Sequence, residues 1–158
     1  MALVRPAKIR CEELNGPKLS NRSDAAEMGQ PGLLRKKLRI IVVDDELTIA
    51  ETLAEILNGE GCEAFAVSSG AAAVELAKKA RPDVVICDVI MPDMNGIETA
   101  RSIRTFLPNC RMVLFSGQAS TRDLLKEARA QGSHFELLNK PIRPSALLSL
   151  IGSCRSKQ

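Results

Sequence analysis

Four short apolar runs are each followed by a polar group able to do chemistry. Asp44-Asp45-Glu46 comes after Ile40 to Val43, Asp88 after Val84 to Cys87, Ser116 after Met112 to Phe115, and Lys140-Pro141 shortly after Leu137-Leu138. Taken singly each carries little: an acid pair is commonly a turn or helix cap, Ser-Gly a turn, and Lys-Pro a loop. Taken together they are hard to explain by packing, because carboxylates gathered outside bulk water repel one another and need a cation. Oxygen donors select a hard ion. Mg2+ fits best, since it takes one or two carboxylates and keeps waters that a phosphate can displace.

Such a cluster forms only if the apolar runs are strands that end at the same edge. From Leu38 onward, β-branched runs alternate with helical patterns, as in βαβ units feeding a parallel sheet. The expected strands are Arg39 to Val43, Glu63 to Val67, Val84 to Cys87, Met112 to Phe115 and Phe135 to Leu138, nearly continuous in apolar residues as buried parallel strands should be. Between them lie amphipathic helices: Ile49, Leu53, Ile56 and Leu57 mark the stripe of the first, and Ile97, Ala100 and Ile103 that of the third. Five such units predict an α/β fold, a flavodoxin-like doubly wound parallel sheet of order 2-1-3-4-5 with five helices. Ligands bind such sheets beyond the carboxyl ends of the strands, at the switch point between strands 1 and 3, where Asp44, Asp45 and Asp88 fall.

The runs IIVVDDE, DVVICDVIMPDMNG, VLFSG and LLNKP, in this order, resemble the response-regulator receiver domain over nearly all of residues 38–152. The resemblance implies that Asp88 accepts a phosphoryl group from a histidine kinase or phosphotransfer protein of a two-component system. It also implies that Asp45 binds Mg2+ directly, Asp44 mostly through water, and that the backbone carbonyl of Ile90 completes the protein's ligands. Lys140 would be a point charge on the phosphoryl oxygens, and Ser116 a hydroxyl drawn towards them, repacking strand 4 and the helix after it. The Lys140-Pro141 bond looks like the family's cis peptide.

Two positions depart from the family pattern. Receivers usually carry Tyr or Phe three residues before the lysine. Here that residue is Leu137, with Phe135 nearby as a substitute if strand 5 bulges, and the chain has no Tyr. Ile90 stands where many receivers have a polar residue that orients attacking water, which predicts slow hydrolysis unless Gln118 takes over.

Other signals point away from alternative functions. Gly59, Gly61 and Ala64 match a dinucleotide-binding glycine pattern formally, but a helix precedes and a strand follows, the reverse of what that motif needs, so Gly59 reads as a helix C-cap. His134, the single histidine, has no triad partners. An aspartyl-phosphate phosphatase would place DxDx after strand 1, whereas this chain has DDE. A receiver-like binding module without phosphorylation is disfavoured by the complete acid and lysine set. The chain is therefore expected not to be an enzyme beyond its own phosphorylation and dephosphorylation.

With 158 residues, 45% hydrophobic content and a net charge of +3, the chain is expected to form one soluble domain. No apolar run approaches the roughly 18 residues of a membrane span, and no secretory signal opens the chain, so a cytoplasmic address without membrane contact is expected. The five cysteines are widely spaced and form no CxxC pair, which reads as reduced thiols. Arg35, Lys36, Lys37 and Arg39 cluster without aromatics or a helix-turn-helix pattern, so direct nucleic-acid binding is not expected. Residues 1–37, rich in Gly, Pro and polar residues, read as a disordered extension, although a start at Met28 would also account for them. Residues 38–155 would form the receiver, with no output domain after them. Its effector is expected on the face made by helix 4, strand 5 and helix 5.

Overall fold

The computed structural model describes residues 36–117 and 121–156. Gln118 and most of the N-terminal extension, including Cys11, lie outside the described residues.

Five strands alternate with five helices: β1 Arg39–Val43, α1 Leu47–Gly59, β2 Glu63–Val67, α2 Gly70–Ala80, β3 Val84–Asp88, α3 Gly96–Phe106, β4 Arg111–Ser116, α4 Thr121–Ala130, β5 Glu136–Asn139 and α5 Pro144–Arg155. All pairings are parallel, in the order β2-β1-β3-β4-β5 that the sequence predicts. β1 is buried along almost its whole length, and its side chains alternate between the two faces of the sheet. Ile40 and Val42 join Leu53 and Leu57 of α1 and Leu147 and Ile151 of α5 on one face. Ile41 and Val43 join Ala73 and Ala77 of α2, Ala100 and Ile103 of α3 and Leu125 of α4 on the other. Each fully buried Val or Ile contributes about 1.5 to 3 kcal/mol, so the central strands are anchored from both sides.

Several local expectations need correction. β5 covers Glu136–Asn139 rather than Phe135 to Leu138, and it is an edge strand with Glu136, Leu137 and Asn139 exposed. Its ladder with β4 runs without a bulge, so Phe135 is not shifted into the position of Leu137. The buried stripe of α1 is Ala50, Leu53, Ala54 and Leu57, with Ile49 and Ile56 at its margin. Gly59 is helical, and the left-handed residue is Gly61 at φ +80°. There the Cys62 N–H reaches the Leu57 carbonyl and the Gly61 N–H that of Asn58, the paired bonds that close a helix through a residue with positive φ. His134 is exposed, and its carbonyl accepts from Arg104. Cys62, Cys87, Cys110 and Cys154 are buried free thiols. Burial pushes Cys110 up to about 12, so it stays protonated at neutral pH. Among the described residues, no helix is long and apolar enough to cross a membrane.

Candidate functional site

β1 and β3 lie side by side in register, with Val43 opposite Cys87, so the acids that follow them share the carboxyl edge of the sheet. The Asp44 carboxylate is turned inward and only 1% of the residue is exposed. Its Oδ1 accepts from the Glu46 N–H at 2.9 Å, a local turn that fixes its rotamer and starts α1. Asp88 closes β3 and is 7% exposed, with the Ile90 N–H 3.3 Å from its Oδ1. Asp45 is solvent-facing, yet one carboxylate oxygen from each of Asp44, Asp45 and Asp88 lies within 4.8 Å of the others.

Lys140 enters from β5. Its backbone N–H donates to the Ser116 carbonyl at 3.0 Å, continuing the β4–β5 ladder, and the Lys140–Pro141 peptide is cis. Its ammonium donates to Asp44 Oδ2 and to Asp88 Oδ2, each at 3.0 Å, and stands 4.8 Å from the centre of the buried Phe115 ring. Burial alone would lower the pKa of Lys140, but its hydrogen bonds to Asp88 and Asp44 outweigh that and hold it raised. Asp88 is pushed up from the ordinary carboxylate range by burial, and Lys140 only partly offsets this. The pocket thus holds a buried carboxylate against a firmly charged ammonium.

Ser116 ends β4 and is 8% exposed. Its hydroxyl shares a hydrogen bond with that of Thr121, the first residue of α4, itself 2% exposed. The side chain of Ile90 is 38% exposed beside Asp88.

The loop after Asp88 is held on both sides. Asp93 adopts φ +65° in a tight turn closed by the Met94 N–H on the Pro92 carbonyl at 2.8 Å. Asn95 then caps α3: its side chain accepts from the Glu98 N–H and the Glu98 carboxylate accepts from the Asn95 N–H. Gly96 passes so close to the end of β3 that its N–H donates to the Val89 carbonyl at 2.9 Å.

The structure therefore gathers Asp44, Asp45, Asp88 and Lys140 at one point, with Ser116 attached to Lys140 through the backbone. It also shows residues that sequence reasoning missed. The Asn-x-x-Glu spacing at Asn95 and Glu98 is a readable capping signal. Thr121 has none, because its contact with Ser116 is made only in the tertiary structure. Phe135, named as a possible aromatic switch, instead carries Arg104 over its ring at 4.7 Å, away from Lys140.

A doubly wound parallel sheet with two buried acids, a third exposed one and a lysine at its switch point defines a class of phosphate-handling signalling domains. The chain belongs to the response regulator receiver domain family, whose model matches residues 40–152. It is 30% identical over 113 residues to the DNA-binding response regulator MtrA of Mycobacterium tuberculosis, covering 72% of this chain and 48% of that protein. It is 31% identical over 99 residues to sporulation initiation phosphotransferase F of Bacillus subtilis, covering 61% of this chain and 79% of that one. Among solved structures, the chemotaxis protein CheY4 of Vibrio cholerae superposes with a TM-score of 0.67 at 28% identity, over 75% of this chain and 99% of that chain. The chain spans about half the length of the MtrA relatives. Receiver domains act in two-component phosphorelays as phosphoacceptor switches that work with histidine kinases or phosphotransfer proteins.

Proposed function

We propose that this chain is an Mg2+-dependent receiver in which Asp88 takes a phosphoryl group from the phosphohistidine of a sensor kinase or phosphotransfer protein, and that the phosphorylated form is read by a partner. The observation that carries this reading is the ammonium of Lys140 bonded to both Asp44 and Asp88 beside the third carboxylate of Asp45.

The donor set fits a hard divalent cation. Three carboxylates supply oxygen donors only, and Asp44 and Asp88 each keep lone pairs beyond those used by Lys140, Glu46 and Ile90. Asp44, Asp45, Asp88 and the Ile90 carbonyl would hold the ion. When bound, Mg2+ supplies charge neutralisation for phosphoryl oxygens.

In the transfer, an Asp88 carboxylate oxygen forms the new P–O bond as the P–N bond to the donor imidazole breaks and its electron pair returns to nitrogen. Lys140 balances negative charge on the phosphoryl oxygens, and Ser116 donates a hydrogen bond to one of them. Dephosphorylation follows by attack of water on phosphorus, so the chain catalyses only its own two reactions. An effector is expected on the α4, β5 and α5 face, where Leu137 and Leu148 are 39% and 44% exposed and offer apolar anchors.

The test is intact mass after incubation with acetyl phosphate, with and without Mg2+, for wild type and Asp88→Asn. The expected result is an Mg2+-dependent gain of one phosphoryl group that Asp88→Asn lacks. No gain in the wild type would favour the other reading, a receiver fold that binds partners without phosphorylation.

A further inference from the structure

We propose that Thr121 is the positioning residue for Ser116: it orients the serine hydroxyl towards a phosphoryl group on Asp88 and carries that event into α4. The inference rests on the phosphoacceptor reading above and adds how this chain reads the phosphoryl group out.

The Ser116 and Thr121 hydroxyls share a buried hydrogen bond, with the two residues 8% and 2% exposed. Either hydroxyl can be the donor in that bond. A hydroxyl has one proton to give and two lone pairs with which to accept. When Thr121 donates to Ser116, the serine proton is directed elsewhere, and a phosphoryl oxygen is the strongest acceptor the pocket would offer. The pair then forms a chain running Thr121 to Ser116 to phosphoryl oxygen, and hydrogen bonds in such chains strengthen one another in a low-dielectric interior.

The position of Thr121 gives this chain its consequence. Thr121 is the first residue of α4, while Ser116 is the last of β4 and is held by the Lys140 N–H on its carbonyl. Any inward movement of the Ser116 hydroxyl therefore pulls on the N-terminal turn of α4 directly. Neither candidate on or beside the edge strand offers an aromatic rotamer to the pocket: Leu137 is 39% exposed and is not aromatic, and the Phe135 ring carries Arg104 over it. A polar link between strand end and helix start replaces an aromatic rotamer as the connection between pocket and surface.

The experiment uses the full chain with Mg2+ and beryllium trifluoride, a stable phosphoryl mimic, followed by amide NMR, for wild type, Thr121→Val, Thr121→Ser and Thr121→Ala. Thr121→Val keeps the shape and removes the hydroxyl. It is expected to bind the mimic roughly fivefold more weakly, the worth of one net hydrogen bond, and to lose most of the mimic-induced shift at Arg122 to Leu125. Thr121→Ser keeps the hydroxyl and is expected to match wild type in both. A packing role for the threonine methyl predicts the reverse ranking, with serine the worse variant, and that ranking would overturn the inference, as would valine matching wild type. If Thr121→Val does not fold, Thr121→Ala supports or overturns the inference by the same comparison with serine. Failure of wild type to bind the mimic overturns the phosphoacceptor reading itself and this inference with it, an outcome separable from a change confined to the Thr121 variants.

Discussion

Gly96 and Asp88 are in backbone contact that leaves no room for a side chain: a Cβ on Gly96 would stand 2.2 Å from the Asp88 carbonyl oxygen and 3.0 Å from the Val89 Cα. Both neighbours are backbone at the end of a central strand, so neither can rotate away. Gly96→Ala must push α3 off the sheet or displace Asp88. The expected cost is about 1 to 3 kcal/mol in urea denaturation, typical of overpacking. Phosphoryl uptake from acetyl phosphate should fall as well, because the displaced residue is the acceptor. Wild-type stability in Gly96→Ala would contradict the packing seen here.

Asp88 is held above the ordinary carboxylate range chiefly by burial, and the sign of the linkage follows from that. A group whose folded pKa exceeds its unfolded value contributes stability that is fully present below the unfolded pKa, near 3.9, and is lost as pH rises through the folded pKa. At neutral pH the ionised acid therefore costs stability, and Asp88→Asn should resist urea better than wild type. The difference should shrink as pH falls towards the unfolded pKa. Equal urea midpoints for the two proteins across this range would contradict the assignment.

Lys140 provides a contrasting case. Its ammonium is the partner of a carboxylate that is 1% exposed, and removing it leaves Asp44 buried without a cation. Because the lysine side chain is itself 28% exposed, solvent tempers the loss, and Lys140→Met is expected to cost about 1 to 3 kcal/mol in the absence of Mg2+. Added Mg2+ should stabilise Lys140→Met more than wild type, since an ion can take over the neutralisation. The raised lysine pKa contributes stability below its unfolded value near 10.4, lost as pH rises through the folded one, so the two proteins should converge in stability at alkaline pH. Acetyl phosphate uptake should drop roughly a hundredfold, the scale of losing one preorganised charge at a developing anion. Thermal melts with and without Mg2+, together with mass-based uptake rates, check each part.

The strands that build the pocket were legible because their signal is local. Ile40 to Val43 and Val84 to Cys87 are continuous apolar runs that can only be buried, and the acids behind them inherit their position from the sheet. The sequence pattern puts β5 one residue early because Phe135 looks like strand material, whereas it is tied to Arg104 on α3. An edge strand also lacks the burial that makes a central one readable, so Leu137 gave no warning of its exposure. The helix stop at Gly61 rather than Gly59 depends on which glycine takes positive φ, a choice made by the bonds to Asn58 and Leu57. Thr121 illustrates the limit most clearly: a threonine at a helix start is ordinary, and only the tertiary approach of Ser116 gives it a role.

Ile90 places an apolar side chain, 38% exposed, two residues beyond Asp88, while its N–H reaches Asp88 Oδ1 at 3.3 Å. Hydrolysis of an aspartyl phosphate needs a water aligned opposite the bond that breaks, and an isoleucine offers that water no hydrogen bond. The backbone contact keeps this position fixed relative to Asp88 whatever the side chain, so a substitution here changes the chemistry of the approach more than its geometry. Ile90→Asn would add an amide NH2 donor and a carbonyl acceptor at a partly solvated site, without disturbing a buried residue. One added hydrogen bond to the attacking water shortens the phosphoryl lifetime by roughly three- to tenfold. Decay of the phosphorylated mass after removal of acetyl phosphate measures it directly, with Ile90→Val as the apolar control expected to retain the wild-type rate. An unchanged decay in Ile90→Asn would mean that another group already orients the water.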